Sequence, residues 1–150
     1  MPYAIYELTR YFTVHLFYQM FLNQMPVMHI STFTIEGKPQ ILLSAMQACG
    51  ALYVKTTAAG QFIDDTLRSS REQLMTEFVR SAVFLPDCLS AQRFEQAKKS
   101  TDTAHHVHLV LAVVLLQTIG LFHQRPEQRT HSNFYHGMLV TVRLIMTSPG

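Results

Sequence analysis

The longest apolar run in the chain, Val107 to Phe122, covers 16 positions and contains no Asp, Glu, Lys or Arg. Such a run either crosses a membrane or lies in a protein core. Spanning a bilayer takes about 20 mostly apolar residues, and this run is shorter and includes His108, Gln117 and Thr118. The reading is a buried core helix, which requires apolar neighbours on several sides. The chain supplies them, since Leu, Ile, Val and Phe account for 45 of its 150 residues, well above the roughly 20% typical of disordered chains.

Around that helix the sequence divides into helical segments. Ile5, Leu8, Phe12, Leu16 and Met20 recur at helical spacing, with Phe17 and Phe21 beside them; they predict one buried stripe on a helix from about Tyr3 to Asn23. Pro26 stops it, because proline lacks the amide proton and pushes Met25 toward extended geometry. Gln24 to Lys38 reads as an irregular connection with weak strand character at Ile30, Thr32, Thr34 and Ile35.

Pro39 suits the first turn of a second helix, whose stripe runs through Leu42, Ala45, Met46, Cys49, Leu52 and Tyr53. Its small neighbours Ala48, Gly50 and Ala51 permit close packing. A third helix spans about Thr57 to Phe84, with Ile63, Leu67, Leu74, Phe78 and Ala82 inward and Asp64, Arg68 and Glu72 on a solvated face. Pro86 to Asp102 reads as a loop in which Leu89 to Lys99 can form a short helix. Asp102 or Thr103 then caps the fourth helix, which ends near Gln124. Thr130 or Ser132 caps a fifth, burying Tyr135, Met138, Val142 and Ile145 before Ser148, Pro149 and Gly150 end it. The fold class is all-α, a bundle or array of about five helices in one domain over residues 1–150.

Chemistry is sparse. A net charge of +2 is too small to argue for nucleic-acid binding, which needs clustered Lys and Arg. Cys49 and Cys88 form neither a disulfide framework nor a zinc pattern, so a reducing compartment is the default. No signal peptide follows Met1. His105, His106 and His108 cluster, and His105 and His108 can share a helix face, yet no third ligand or intervening Glu accompanies them. His131 and His136 stand five apart. Cys49 lies in an apolar stripe without a neighbouring base, and Asp64 and Asp65, being adjacent, point to different helix sides. The eight methionines read mostly as core filler. No residue qualifies as catalytic, cofactor-binding or metal-ligating, and the expectation is that the chain is not an enzyme.

Three stretches carry a family likeness. Tyr11-Phe12 is followed by Pro26, His29 and Thr32-Phe33 in a P-x-x-H-x-x-T-F pattern. Leu42 to Tyr53 reads LLSAMQACGALY, and Leu115 to Arg129 reads LLQTIGLFHQRPEQR, closed by Tyr135 to Val140. In this order and spacing they resemble the N-terminal part of the fungal-specific transcription factor domain, the middle homology region of fungal zinc-finger and zinc-cluster regulators. The resemblance implies a helical, non-catalytic regulatory domain in the nucleus, serving RNA polymerase II transcription through protein or effector contacts. It also implies that zinc and DNA binding belong to a separate module, for which this chain carries no Cys or Cys-His array before Tyr3.

In the family the domain extends past the last helix into an Arg-rich, Trp-containing helix, so the chain is expected to be an incomplete domain. Charged residues make up only 15%, against about 25% in ordinary domains. That leaves apolar surface for protein partners or the missing part of the same domain, with a homodimer also open. Within these stretches the residues have structural readings of their own: His29 hydrogen-bonds locally, Phe33 anchors the connection in the core, and Gln117 needs a polar partner wherever it is buried, with ligand contact the other reading. The alternatives are a membrane-associated helical protein resting on Val107 to Phe122, and a small metal-dependent enzyme resting on His105 and His108.

Overall fold

A computed structural model describes residues 2–83 and 95–147, with side chains over 9–77, 104–130 and 132–140. The described residues form five helices and no strand. Helix α1 is α-helical over Pro2–Leu16, widens into a π turn at Phe17–Phe21, and closes with Leu22–Gln24. It is followed by α2 (Gln40–Ala51), α3 (Thr57–Val83), α4 (Glu95–Leu121) and α5 (Pro126–Thr147).

Helix α2 is the hub. Ten of its 12 residues are buried, and it packs against α1, α3 and α4. A helix without a charged residue and apolar nearly all round is stable only inside a bundle. Its approach to α1 is at backbone contact. A Cβ on Gly50 would stand 2.7 Å from the carbonyl carbon of Thr13 and 3.1 Å from the backbone nitrogen of Phe17, so the two helices cross backbone against backbone. The π turn begins at this crossing and brings the Phe17 and Phe21 rings into a stack with centroids 5.3 Å apart.

The crossing also decides which side of α1 faces inward. Thr13, Val14, Phe17, Phe21 and Leu22 are buried. Of the stripe read from the sequence, Phe12 and Met20 are exposed and Leu16 is half-buried, while the side chains of Ile5 and Leu8 lie outside the described residues. Phe12 and Met20 point away from this core, because the Thr13–Phe17 side of α1 is the one pressed against Gly50.

Met25 is extended before Pro26 (φ −139°, ψ 86°), as the proline ring demands. The connection to α2 is made of turns rather than a strand: Thr32 and Phe33 donate their amides to the His29 carbonyl at 3.2 and 3.1 Å, and Lys38 donates to Ile35 at 3.3 Å. Gly37 sits in that last turn at φ +71°, a left-handed conformation that glycine takes without penalty. Pro39 precedes α2 as its N-cap, accepting the amides of Leu42 and Leu43. At the other end of α2, Leu52 is exposed and Tyr53 half-buried, where the spacing placed both on the inner stripe.

Thr56 caps α3, its hydroxyl accepting the Ala59 amide at 3.2 Å. Ile63, Leu67 and Leu74 are buried as expected; Phe78 and Ala82 fall outside the described side chains. Helix α4 starts earlier than the sequence suggested, at Glu95, so Asp102 and Thr103 lie within it rather than capping it. The polar stretch around Lys98 and Lys99 is helical, and residues 86–94 are outside the described set. By length and composition alone, Ala104–Leu121 is apolar enough to cross a membrane, but its inner side, Leu109, Ala112, Val113, Leu115, Leu116 and Ile119, is buried in the common core.

Helix α5 opens at Pro126, a favoured first helical residue, with Glu127 in its first turn. Thr130 and Ser132 are not caps. They sit inside α5 and donate to the carbonyls of Pro126 and Arg129 at 3.1 and 2.6 Å. Helices α4 and α5 pack as a hairpin where Gly120 meets fully buried Ser132; a Cβ on Gly120 would come within 2.9 Å of the serine Cβ. Tyr135 and Met138 are buried, while the side chains of Val142 and Ile145 and residues 148–150 lie outside the described set.

Candidate functional site

Polar side chains converge where α3 meets the α4–α5 turn. Asp64 Oδ2 pairs with Arg125 Nη1 at 2.9 Å, and Asp64 Oδ1 approaches His123 Nε2 at 3.0 Å. The Arg125 amide donates to His123 Nδ1 at 3.1 Å. With Nδ1 accepting, the neutral imidazole carries its proton on Nε2, toward the carboxylate. That approach is a close polar contact rather than an aligned hydrogen bond. Arg129 reaches back along the same turn, donating from Nη1 to the carbonyls of His123 at 3.0 Å and Gln124 at 3.2 Å.

Asp64 was expected on a solvated face beside Arg68. Instead it turns toward the hairpin, and Arg68 pairs with Asp65 on the open side. The adjacent carboxylates do diverge, as their helix positions require. A second tie joins the same bodies: the Tyr135 hydroxyl donates to the Leu67 carbonyl at 2.8 Å. Burial pushes the Tyr135 phenol up to about 12, against a smaller lowering from Arg71.

The other residues singled out in the sequence are dispersed. His29 Nδ1 meets the Ser31 hydroxyl at 2.8 Å, and Phe33 packs against the core under the Lys38 ammonium, 5.3 Å from its ring centre. His105, His106 and His108 lie well inside α4 rather than at its start. His105 stands 4.0 Å from Glu77, while burial, then Lys38 and His105, lower the value of His108. No group of three His, Cys, Asp or Glu able to hold a metal occurs among the described residues. His136 is exposed and Gln117 only half-buried, so water reaches both. Cys49 is fully buried, and burial raises its thiol far above the usual range; such a thiol is a poor nucleophile. Met46 and Met138 fill the core, but Met20 and Met75 are exposed.

The sequence reading missed Gln47, which is buried in the middle of α2 with an Nε2 that has no protein partner. A polar residue on a nearly wholly apolar helix was the available signal. The Asp64 group is spent on joining helices.

The close helix contacts at Gly50 and Gly120 fall within the second and third sequence motifs. The model of the fungal specific transcription factor domain matches residues 14–147. The chain belongs to that family. No curated protein and no solved structure matches it. The family match covers Gly50 and Phe17, the Gly120 crossing, the His29 turn and the Asp64–His123–Arg125 junction, so these lie within the fungal transcription factor domain itself.

Proposed function

We propose that this domain is a non-catalytic regulatory module of a nuclear fungal transcription factor, acting on RNA polymerase II transcription through protein or effector contacts. The observation that carries the reading is the family match across residues 14–147. The side-chain chemistry agrees with it: the buried thiol of Cys49 is unactivated, and Asp64, His123 and Arg125 tie helices together. Contacts are what the surface offers. Tyr11, Phe12, Ile30 and Phe122 are all large apolar side chains left open, suited to protein partners or to further helices of the same domain.

Zinc and DNA enter through the family's separate DNA-binding module. The described residues of this chain do not form a metal-ligand set. The test is to tether the chain to an unrelated DNA-binding module at a reporter promoter in a fungal host. The reading expects transcription to change several-fold relative to the module alone, and imaging of the full-length protein to place it in the nucleus. A reporter indifferent to the tethered domain would overturn it.

A further inference from the structure

The turn between α4 and α5 is closed through an imidazole. The Arg125 amide donates to His123 Nδ1 at 3.1 Å, two residues back along the chain. The Arg125 carbonyl in turn accepts the Gln128 and Arg129 amides that open α5. The His123 side chain is only 15% exposed, and its Nε2 stands 3.0 Å from Asp64 Oδ1 on α3. One ring therefore meets the turn with one nitrogen and the neighbouring helix with the other.

Only the neutral ring can do both. A backbone N–H needs a lone pair, and Nδ1 offers one only while the ring proton sits on Nε2. When the ring takes a second proton from solvent, both nitrogens become donors. The Arg125 amide then faces an N–H and loses its acceptor, whereas the charged ring is drawn more strongly to the Asp64 carboxylate. The two contacts respond in opposite senses, so a proton moves the ring toward α3 and away from the turn. Imidazoles are the side chains suited to change charge between about pH 5 and 8.

The charged groups around the ring act on the same balance. Asp64 from α3 draws the imidazolium, but its other oxygen is already paired with Arg125 Nη1 at 2.9 Å. Arg129 of α5 brings a second guanidinium to the carbonyls of His123 and Gln124. A charged His123 thus adds a third cation to one turn. Helix α4 supplies nothing to offset it, because Leu109 to Phe122 contains no titratable side chain. Asp65 and Arg68 are paired with each other on the open side of α3, Glu127 is exposed in the first turn of α5, and Tyr135 is protonated throughout that range. We propose that His123 is a proton-operated latch on the α4–α5 turn, closed while the imidazole is neutral and opened when it is charged. The turn carries Leu121 and Phe122, 48% and 84% exposed, so the latch sets whether this apolar tip is held in one conformation. The proposal goes beyond the regulatory reading and is tested without it, since the readout is the turn and not transcription.

The test is amide hydrogen exchange by NMR on the full chain at pH 8 and pH 5.5, expressed as protection relative to the unfolded-chain rate at each pH, with the ring followed by its nitrogen shifts. At pH 8 the His123 proton is expected on Nε2 alone. At pH 5.5 protection of the Arg125 amide is expected to fall about five- to tenfold, the worth of one hydrogen bond, while that of Leu116, fully buried on α4, stays unchanged. His123→Asn keeps an acceptor two residues before Arg125 and has no proton to gain. That variant is expected to retain far-UV helicity and to protect the Arg125 amide equally at both pH values. A ring proton on Nδ1 at pH 8, or Arg125 protection that does not change, would overturn the proposal. So would a fall shared by Leu116, which would mean general loosening, or a fall that persists in His123→Asn, which would place the titrating group elsewhere.

Discussion

Replacing Gly50 with alanine is the most informative perturbation of this fold. At an ordinary helix interior, Gly→Ala stabilises by roughly 1 kcal/mol, because glycine gives up more backbone freedom on folding. At Gly50 the added Cβ would meet backbone on α1: the Thr13 carbonyl oxygen, its carbon at 2.7 Å and the Phe17 nitrogen at 3.1 Å. Backbone cannot swing aside as a flexible side chain does, so α1 has to move outward. A gap of 0.5–1 Å already forfeits about a quarter to a half of the contact energy of facing atoms. The residues that lose it are Val14, Phe17, Phe21 and Leu22, each worth roughly 1.5–3 kcal/mol when buried.

A quarter of that sum is about 1.5–3 kcal/mol. After the helix-propensity gain is subtracted, a net loss of about 0.5–2 kcal/mol remains. The assay is urea unfolding followed by far-UV circular dichroism, with Gly60→Ala as the paired control. A Cβ on Gly60 meets nothing within 4 Å, so that variant is expected to unfold at the same or a higher urea concentration than wild type. A Gly50→Ala chain as stable as wild type would refute the reasoning, because it would mean that α1 and α2 do not cross at backbone contact.

Three further outcomes follow from the same geometry. Asp64→Asn is expected to lower stability by about 1 kcal/mol, a modest figure because the Arg125 side chain is 68% exposed. The difference between the two proteins should shrink in about 1 M salt, where the Debye length is near 3 Å; urea midpoints at low and high salt check it. Tyr135→Phe should cost about 1 kcal/mol through the lost bond to Leu67. Because the folded phenol stays protonated to about 12 while the unfolded one ionises near 10, wild-type stability should fall as pH rises through that window, by up to about 1.4 kcal/mol per unit. The variant should show a shallower fall in a pH series of melts. Cys49, buried and held protonated, should resist alkylation in the folded chain and react once urea unfolds it, as read by mass spectrometry of its peptide.

Much of the architecture was legible from local signals. Pro26, Pro39 and Pro126 bracket helix boundaries because a ring that fixes φ and removes a donor acts wherever it stands. The apolar run from Val107 predicted a buried helix, and its core side is buried. The failures share a cause, which is that the deciding partner is distant in sequence. Periodicity shows that α1 has an apolar stripe, but only Gly50, from another helix, decides that Thr13 and Phe17 face inward and Phe12 outward. The charge spacing on α3 described Asp64 as solvated, and only the hairpin turn carrying His123 and Arg125 recruits it. Lys98 and Lys99 made the start of α4 look like a loop, because local polarity does not distinguish a solvated helix from a turn. The glycines of the motifs were readable as small residues; which backbone each would touch was not.

The most direct test of the account is to carry the Gly50 pair into the tethered reporter. If the packed domain around α2 is what regulates transcription, the wild type and Gly60→Ala will shift reporter output several-fold. Gly50→Ala will lose most of that shift while the fusion remains at comparable abundance. A reporter that responds equally to all three, or to none, would contradict the claim that this helical core is the regulatory element.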